Sequence, residues 1–158
     1  MDKSKLALDA EKPKHPKQLG FEFGLTIRIS QPAYITESAP ASAFSDVVYV
    51  ALLAEDSRPP FKKGDVLKIG QTGKTLMERW DGIRRIFELD KRLKPTEEIA
   101  RKKWLEAAEG KDVSVWVKAA GKIEIPYAKG LTQSFFSTRG AEEEFLDRYY
   151  LPIIGQRL

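Results

Sequence analysis

The chain has 158 residues, 42% of them hydrophobic and 32% charged, with a formal net charge of +4. That is enough to enclose one core, and no apolar run approaches the roughly 20 residues that span a bilayer. With no cysteine, disulfides, a thiolate nucleophile and cysteine-held zinc are excluded, and the single histidine, His15, excludes histidine clusters. The N-terminus lacks the continuous apolar stretch of a secretory signal, so a cytoplasmic protein is expected. Lys and Arg outnumber Asp and Glu by only 27 to 23, so the charge permits a polyanionic partner without pointing to one.

Residues 1–19 hold five lysines and two prolines with little periodicity and are expected to form a flexible Lys/Pro-rich tail, leaving 20–158 as a single domain. Phe21, Phe23, Leu25, Ile27 and Ile29 alternate with polar residues and glycine, which predicts a strand with one buried face. A loop containing Pro32 and Pro40 follows. The continuous apolar run from Val47 to Ala54 suits a strand buried on both faces. After a polar turn over 55–65, Val66 to Gly70 reads as a short return strand.

Leu76, Trp80, Ile83 and Phe87 share one face of a helix expected over 75–93. Pro95 ends it, and Thr96-Glu97-Glu98 opens a second helix that stops at Gly110. Residues 112–127 alternate about Ala120-Gly121 and read as a β-hairpin. A loop with Phe135-Phe136 leads to a last helix from about Ala141 to Leu151, ended by Pro152. The order predicts an α+β fold: a small mixed, largely antiparallel sheet flanked by helices, with an extra N-terminal strand and a hairpin.

Taken singly, Tyr49 is a core tyrosine, Lys68 and Arg79 are surface cations, and Glu142 to Glu144 are a solvated first turn. Their order carries more. Val47-Val48-Tyr49, then Lys68-Ile69-Gly70, then Arg79 on the following helix, then Glu143 before Phe145-Leu146 and Pro152, resembles the GIY-YIG nuclease superfamily over roughly 46–155. The Lys-Ile-Gly tripeptide, with lysine where many members have tyrosine, looks like that of the phage-type and restriction-type branches. The asparagine that follows the proline in many members is replaced here by Ile153-Ile154-Gly155.

The resemblance implies a metal-dependent endonuclease that hydrolyses DNA phosphodiester bonds, of restriction type or associated with phages or mobile elements. It implies Tyr49 as the group that activates water, Lys68 and Arg79 as cations on the phosphate, and Glu143 as the ligand of Mg2+ or Mn2+. Those residue types suit the chemistry. A carboxylate holds a hard cation, guanidinium matches phosphate bidentately, and a phenol acts as a base only where cations favour the phenolate. Gly70 would let the backbone approach the phosphate. Arg84 and Arg85, with Arg101, Lys102 and Lys103, are candidates for DNA phosphates. Glu142 and Glu144 leave the register of the metal ligand open by one residue. A homodimer would follow if both strands of a palindrome are cut. Two other readings stay open: a catalytically inactive nucleic-acid-binding module of the same fold, and a scaffold whose motif match is accidental.

Overall fold

The structure is a computed structural model that describes residues 13–54, 65–89, 92–128, 131–136 and 139–154. Its elements are β1 (Glu22–Arg28), β2 (Tyr34–Ser38), β3 (Ser45–Leu53), β4 (Val66–Thr75), α1 (Leu76–Arg84), α2 (Pro95–Ala108), β5 (Asp112–Ala119), β6 (Lys122–Ala128), β7 (Leu131–Phe136) and α3 (Arg139–Tyr150). Five strands form a sheet in the order β2-β1-β5-β3-β4, and every pairing in it is antiparallel. The architecture is the expected α+β class.

Strand β3 is buried on both faces, as its unbroken apolar run requires. Val47, Tyr49 and Ala51 join one core with Leu76 and Trp80 of α1 and Trp104 of α2. Val48, Val50 and Leu52 face the other core, with Leu146 and Tyr150 of α3 and Leu19 and Phe21 ahead of β1. Helices therefore cover both sides of the sheet at its β3–β4 end. Among the described residues no helix is long and apolar enough to cross a membrane.

Several elements depart from expectation. The segment expected as a loop contains β2, an edge strand on β1 that pairs Leu25 with Ser38 and Arg28 with Tyr34. Its side chains are mostly exposed, so it has no hydropathic alternation to reveal it. The expected 112–127 hairpin does not form. Strand β5 is already paired on both edges, with β1 (Leu25 to Val115) and with β3 (Ala51 to Val115). No edge remains for β6, which pairs with β7 in a separate two-stranded sheet, Ile123 opposite Phe135. The stretch with the paired phenylalanines is thus a strand.

The helix expected over 75–93 ends at Arg84 and tightens into a 3-10 turn over Arg85–Phe87 before Glu88 turns extended. Phe87 is still buried, because the tighter turn carries it onto the same core. Strand β4 runs to Thr75, five residues past Gly70, and feeds α1 directly.

The end of the expected tail is docked. Pro16–Leu19 forms a 3-10 turn closed by Gly20 in the left-handed conformation (φ 88°). The His15 ring meets Trp116 edge-on at 4.7 Å, and Tyr150 Oη donates to the Lys14 carbonyl at 2.7 Å. Aromatic burial and capping outweigh the polar composition here. Residues 1–12 of the expected tail lie outside the described residues.

Candidate active site at the edge of strand β4

The site grows from two adjacent strands and two helices. Tyr49 of β3 lies opposite Gly70 of β4, and Ala51 opposite Lys68, so Tyr49 and Lys68 project on the same face of the sheet. Tyr49 is only 1% exposed, and its ring meets Trp80 edge-on at 5.8 Å. Arg79 is placed by the start of α1. Thr75 caps that helix, accepting from the Glu78 amide at 3.1 Å and donating to Glu78 Oε1 at 3.1 Å. With no loop between β4 and α1, the guanidinium is fixed relative to the strand and hydrogen-bonds the Tyr49 hydroxyl.

Helix α3 comes from the other face and packs against β4. Beyond it the chain bends around the open edge of that strand. Ile153 N donates to the Val66 carbonyl at 3.0 Å and Ile154 N to that of Leu67 at 2.7 Å. Ile154 thereby enters the core that holds Tyr49. The result is a pocket of about 340 Å³. Tyr49, Lys68, Arg79, Thr96 and Glu97 are its polar lining, and Ile83, Ile86, Trp104 and Ile154 are among its apolar lining.

Glu143 lies within electrostatic reach of Tyr49, Lys68 and Arg79. Its neighbours point elsewhere. Glu142 is fully buried against the β5–β6 turn, where Oε2 accepts from Gly121 N at 3.0 Å and Oε1 lies 3.5 Å from Lys118 Nζ. Glu144 bonds Arg148 at 2.7 Å on the exposed side. Of the three consecutive glutamates, Glu143 is the one coupled to the cations of the pocket.

Burial governs the protonation of the group. It pushes the Glu143 carboxyl above the ordinary carboxylate value, against the pull of Lys68 and Arg79. It pushes the Lys68 ammonium below the ordinary lysine value, although Glu143 and Asp147 both favour its charge. It also raises the Tyr49 phenol. The expectation that neighbouring cations favour the Tyr49 phenolate is thus half met. Arg79 acts in that direction, and desolvation of the buried ring outweighs it.

At Gly70 a Cβ would lie 2.2 Å from both Cζ and Oη of Tyr49. The missing side chain makes room for the tyrosine ring. Arg84 and Arg85 stand apart from the pocket lining, and both pair with Asp81. The Arg84 Nη2 to Asp81 Oδ1 contact is 2.5 Å, and Arg85 Nη2 lies 3.5 Å from Asp81 Oδ2. The sequence had not singled out Asp147. It acts on both Lys68 and Glu143, and its spacing of four residues from Glu143 on one helix was the available signal.

The chain shares its fold with a phage protein. A solved structure of a mutant form of bacteriophage T4 EndoII superposes with a TM-score of 0.52 at 16% identity, covering 88% of this chain and 94% of that one. A structure of restriction endonuclease HPY188I in complex with product DNA gives a TM-score of 0.47 at 13% identity, over 92% of this chain and 76% of that one. No family model matches the sequence. No curated protein matches it. Identity at this level speaks to the fold alone.

The donors at the site are all oxygen. No group of three or more His, Cys, Asp and Glu gathers among the described residues, while Glu143 and Asp147 stand on successive turns of α3. Asp147 Oδ1 is shielded from solvent with no hydrogen-bond partner. Two carboxylates and an unsatisfied oxygen fit a hard divalent cation such as Mg2+, which takes one or two carboxylates and keeps several waters.

Proposed function

We propose that the chain is a metal-dependent endonuclease acting on DNA phosphodiester bonds, as the GIY-YIG resemblance implies, of the phage or restriction type. The observation that carries this reading is the convergence of Tyr49, Lys68 and Arg79 on one pocket with Glu143 coupled to them. These residues stand 94 positions apart, from 49 to 143, and were named by their order along the chain. The fold shared with bacteriophage T4 EndoII supports it.

In this reading the scissile phosphate enters the polar end of the pocket. Arg79, exposed at its mouth, presents a fork of donors to two phosphate oxygens. Lys68 adds a positive charge from the floor, where partial burial strengthens it. Together they oppose the negative charge that grows on the pentacoordinate phosphorus. Tyr49 is a neutral phenol in the chain alone, and its oxygen orients the attacking water. Once its own proton has passed to solvent in the loaded site, the phenolate accepts that water's proton, with the Arg79 guanidinium bonded to the same oxygen to stabilise the charge. Glu143 would hold the divalent cation, which when bound supplies positive charge to the departing 3′ oxygen.

Plasmid cleavage with and without Mg2+ tests the reading. Wild type should nick or cut only with the metal. Arg79→Ala should lose about 100- to 1,000-fold in rate, the usual cost of one electrostatic donor, and Glu143→Ala should be inactive. Equal cutting by wild type and both variants would refute the site. Retained DNA binding without any cleavage by wild type would identify an inactive binding module of the same fold.

A further inference from the structure

The four acids of α3 separate into three stripes. Glu142 shares the buried face with Leu146 and Tyr150 and is held by Gly121 and Lys118. Glu144 sits on the exposed face, bonded to Arg148. Glu143 and Asp147 occupy the stripe between them, one turn apart and about 6 Å along the axis. That stripe borders the edge of β4, where Lys68 and Arg79 meet Glu143.

Asp147 acts on the charge of Lys68 and, like Glu142, has one buried oxygen outside any hydrogen bond. Its Oδ1 is removed from solvent and accepts no hydrogen bond. A carboxylate oxygen in that state is destabilising, and such groups are kept where a function needs them. Two carboxylates on one stripe, one with an unsatisfied oxygen, suit a hard divalent cation.

We propose that Asp147 is the second protein ligand of the divalent-cation site, so that Glu143 and Asp147 hold the ion jointly from successive turns of α3. The inference rests on the metal-dependent nuclease reading and deepens it. Two carboxylates in place of one raise the affinity of the DNA-free chain for the ion. They also leave the remaining positions of an octahedral ion to water and the substrate phosphate. Lys68, near both acids, answers part of their charge before the ion arrives.

Mn2+ titration of the full, DNA-free chain, followed by electron paramagnetic resonance, tests this without reference to activity. Glu143→Gln and Asp147→Asn should each weaken binding by at least about tenfold, in the range seen for lost metal-site partners. Asp147→Glu should retain most of the affinity, and Glu144→Gln should behave as wild type. In wild type carrying carboxyl-labelled Asp and Glu, Mn2+ should broaden the Asp147 and Glu143 signals together, which needs no variant to fold. Wild-type affinity in a folded Asp147→Asn chain, or broadening of Glu143 alone, would overturn the inference and make Asp147 a counter-ion of Lys68. The metal reading itself would survive that result. Absence of Mn2+ binding by wild type would overturn both.

Discussion

The ring of Tyr49 occupies the space that a side chain at position 70 would fill. A Cβ on Gly70 would lie 2.2 Å from the tyrosine's Cζ and Oη and 2.7 Å from Cε1, far inside van der Waals contact. The two residues are directly paired across β3 and β4, so neither backbone can yield without disturbing the ladder. Gly70→Ala should therefore displace the hydroxyl that Arg79 bonds. Overpacking should cost about 1–3 kcal/mol of stability, read by urea denaturation. Misplacement of about 1 Å should lower cleavage roughly 100-fold while leaving DNA affinity nearly intact. Wild-type cleavage by a stable Gly70→Ala chain would show that the position of Tyr49 is immaterial.

The three glutamates of α3 should separate by phenotype. Glu142 is fully buried and takes the Gly121 amide and the Lys118 ammonium as partners. Glu142→Ala leaves the Gly121 amide without this acceptor and removes the carboxylate beside Lys118, and should cost about 1–3 kcal/mol, with activity per folded molecule retained. Glu143→Gln should abolish cleavage with little change in stability. Glu144→Gln removes a contact to an exposed Arg148 and should change neither. Thermal unfolding and plasmid cleavage on the three variants check this. Loss of activity in a stable Glu144→Gln chain would place the functional carboxylate one residue later.

Much of this arrangement was readable before folding, and the parts that were not share a cause. Periodicity reports burial, so β3, with apolar residues on both faces, was plain. Strand β2 buries little and was invisible. Pairing is a long-range property. Val113, Val115 and Val117 alternate like one arm of a hairpin, and only the occupation of both edges of β5 by β1 and β3 sends β6 to β7 instead. Tyr49, Lys68, Arg79 and Glu143, which the fold brings near one another, were named by order and spacing. That the Tyr49 ring fills the space over Gly70 was not legible, because it depends on the neighbour across the strand. Asp147 was passed over because an acid on a helix usually faces water.

The pKa of Lys68 makes a testable statement about stability. Burial lowers its folded pKa below the ordinary 10.5. Between the folded value and 10.5 the unfolded chain keeps a proton that the folded chain has released, so this group makes stability rise with pH through that window. Below its folded pKa Lys68 is charged in both states and its burial is a net cost. Lys68→Met should remove this alkaline contribution, flattening the dependence of the urea midpoint as pH rises toward 10.5 relative to wild type. It should also lower cleavage, through loss of a phosphate-facing charge. Parallel pH profiles of the two chains would show that Lys68 is solvated like a surface lysine, and with it that the pocket floor is wet.

Arg84 and Arg85 raise a separate question of binding. Both contact Asp81, and with side chains 39% and 61% exposed they remain accessible beside α1, outside the pocket. Ion pairs this exposed contribute little to stability, so the arginines are available to exchange Asp81 for a phosphate. If they contact the DNA backbone, each releases about one counterion on binding. Arg84→Ala and Arg85→Ala should then each reduce the slope of log K against log salt by about 1, without altering cleavage at saturating DNA. Asp81→Asn should act in the opposite sense, strengthening binding at low salt by freeing both guanidiniums. Fluorescence anisotropy of a labelled duplex across a salt series provides the slopes. Unchanged slopes for both arginine variants would confine these side chains to the Asp81 cluster, and the DNA-contacting surface would have to lie elsewhere around the pocket mouth.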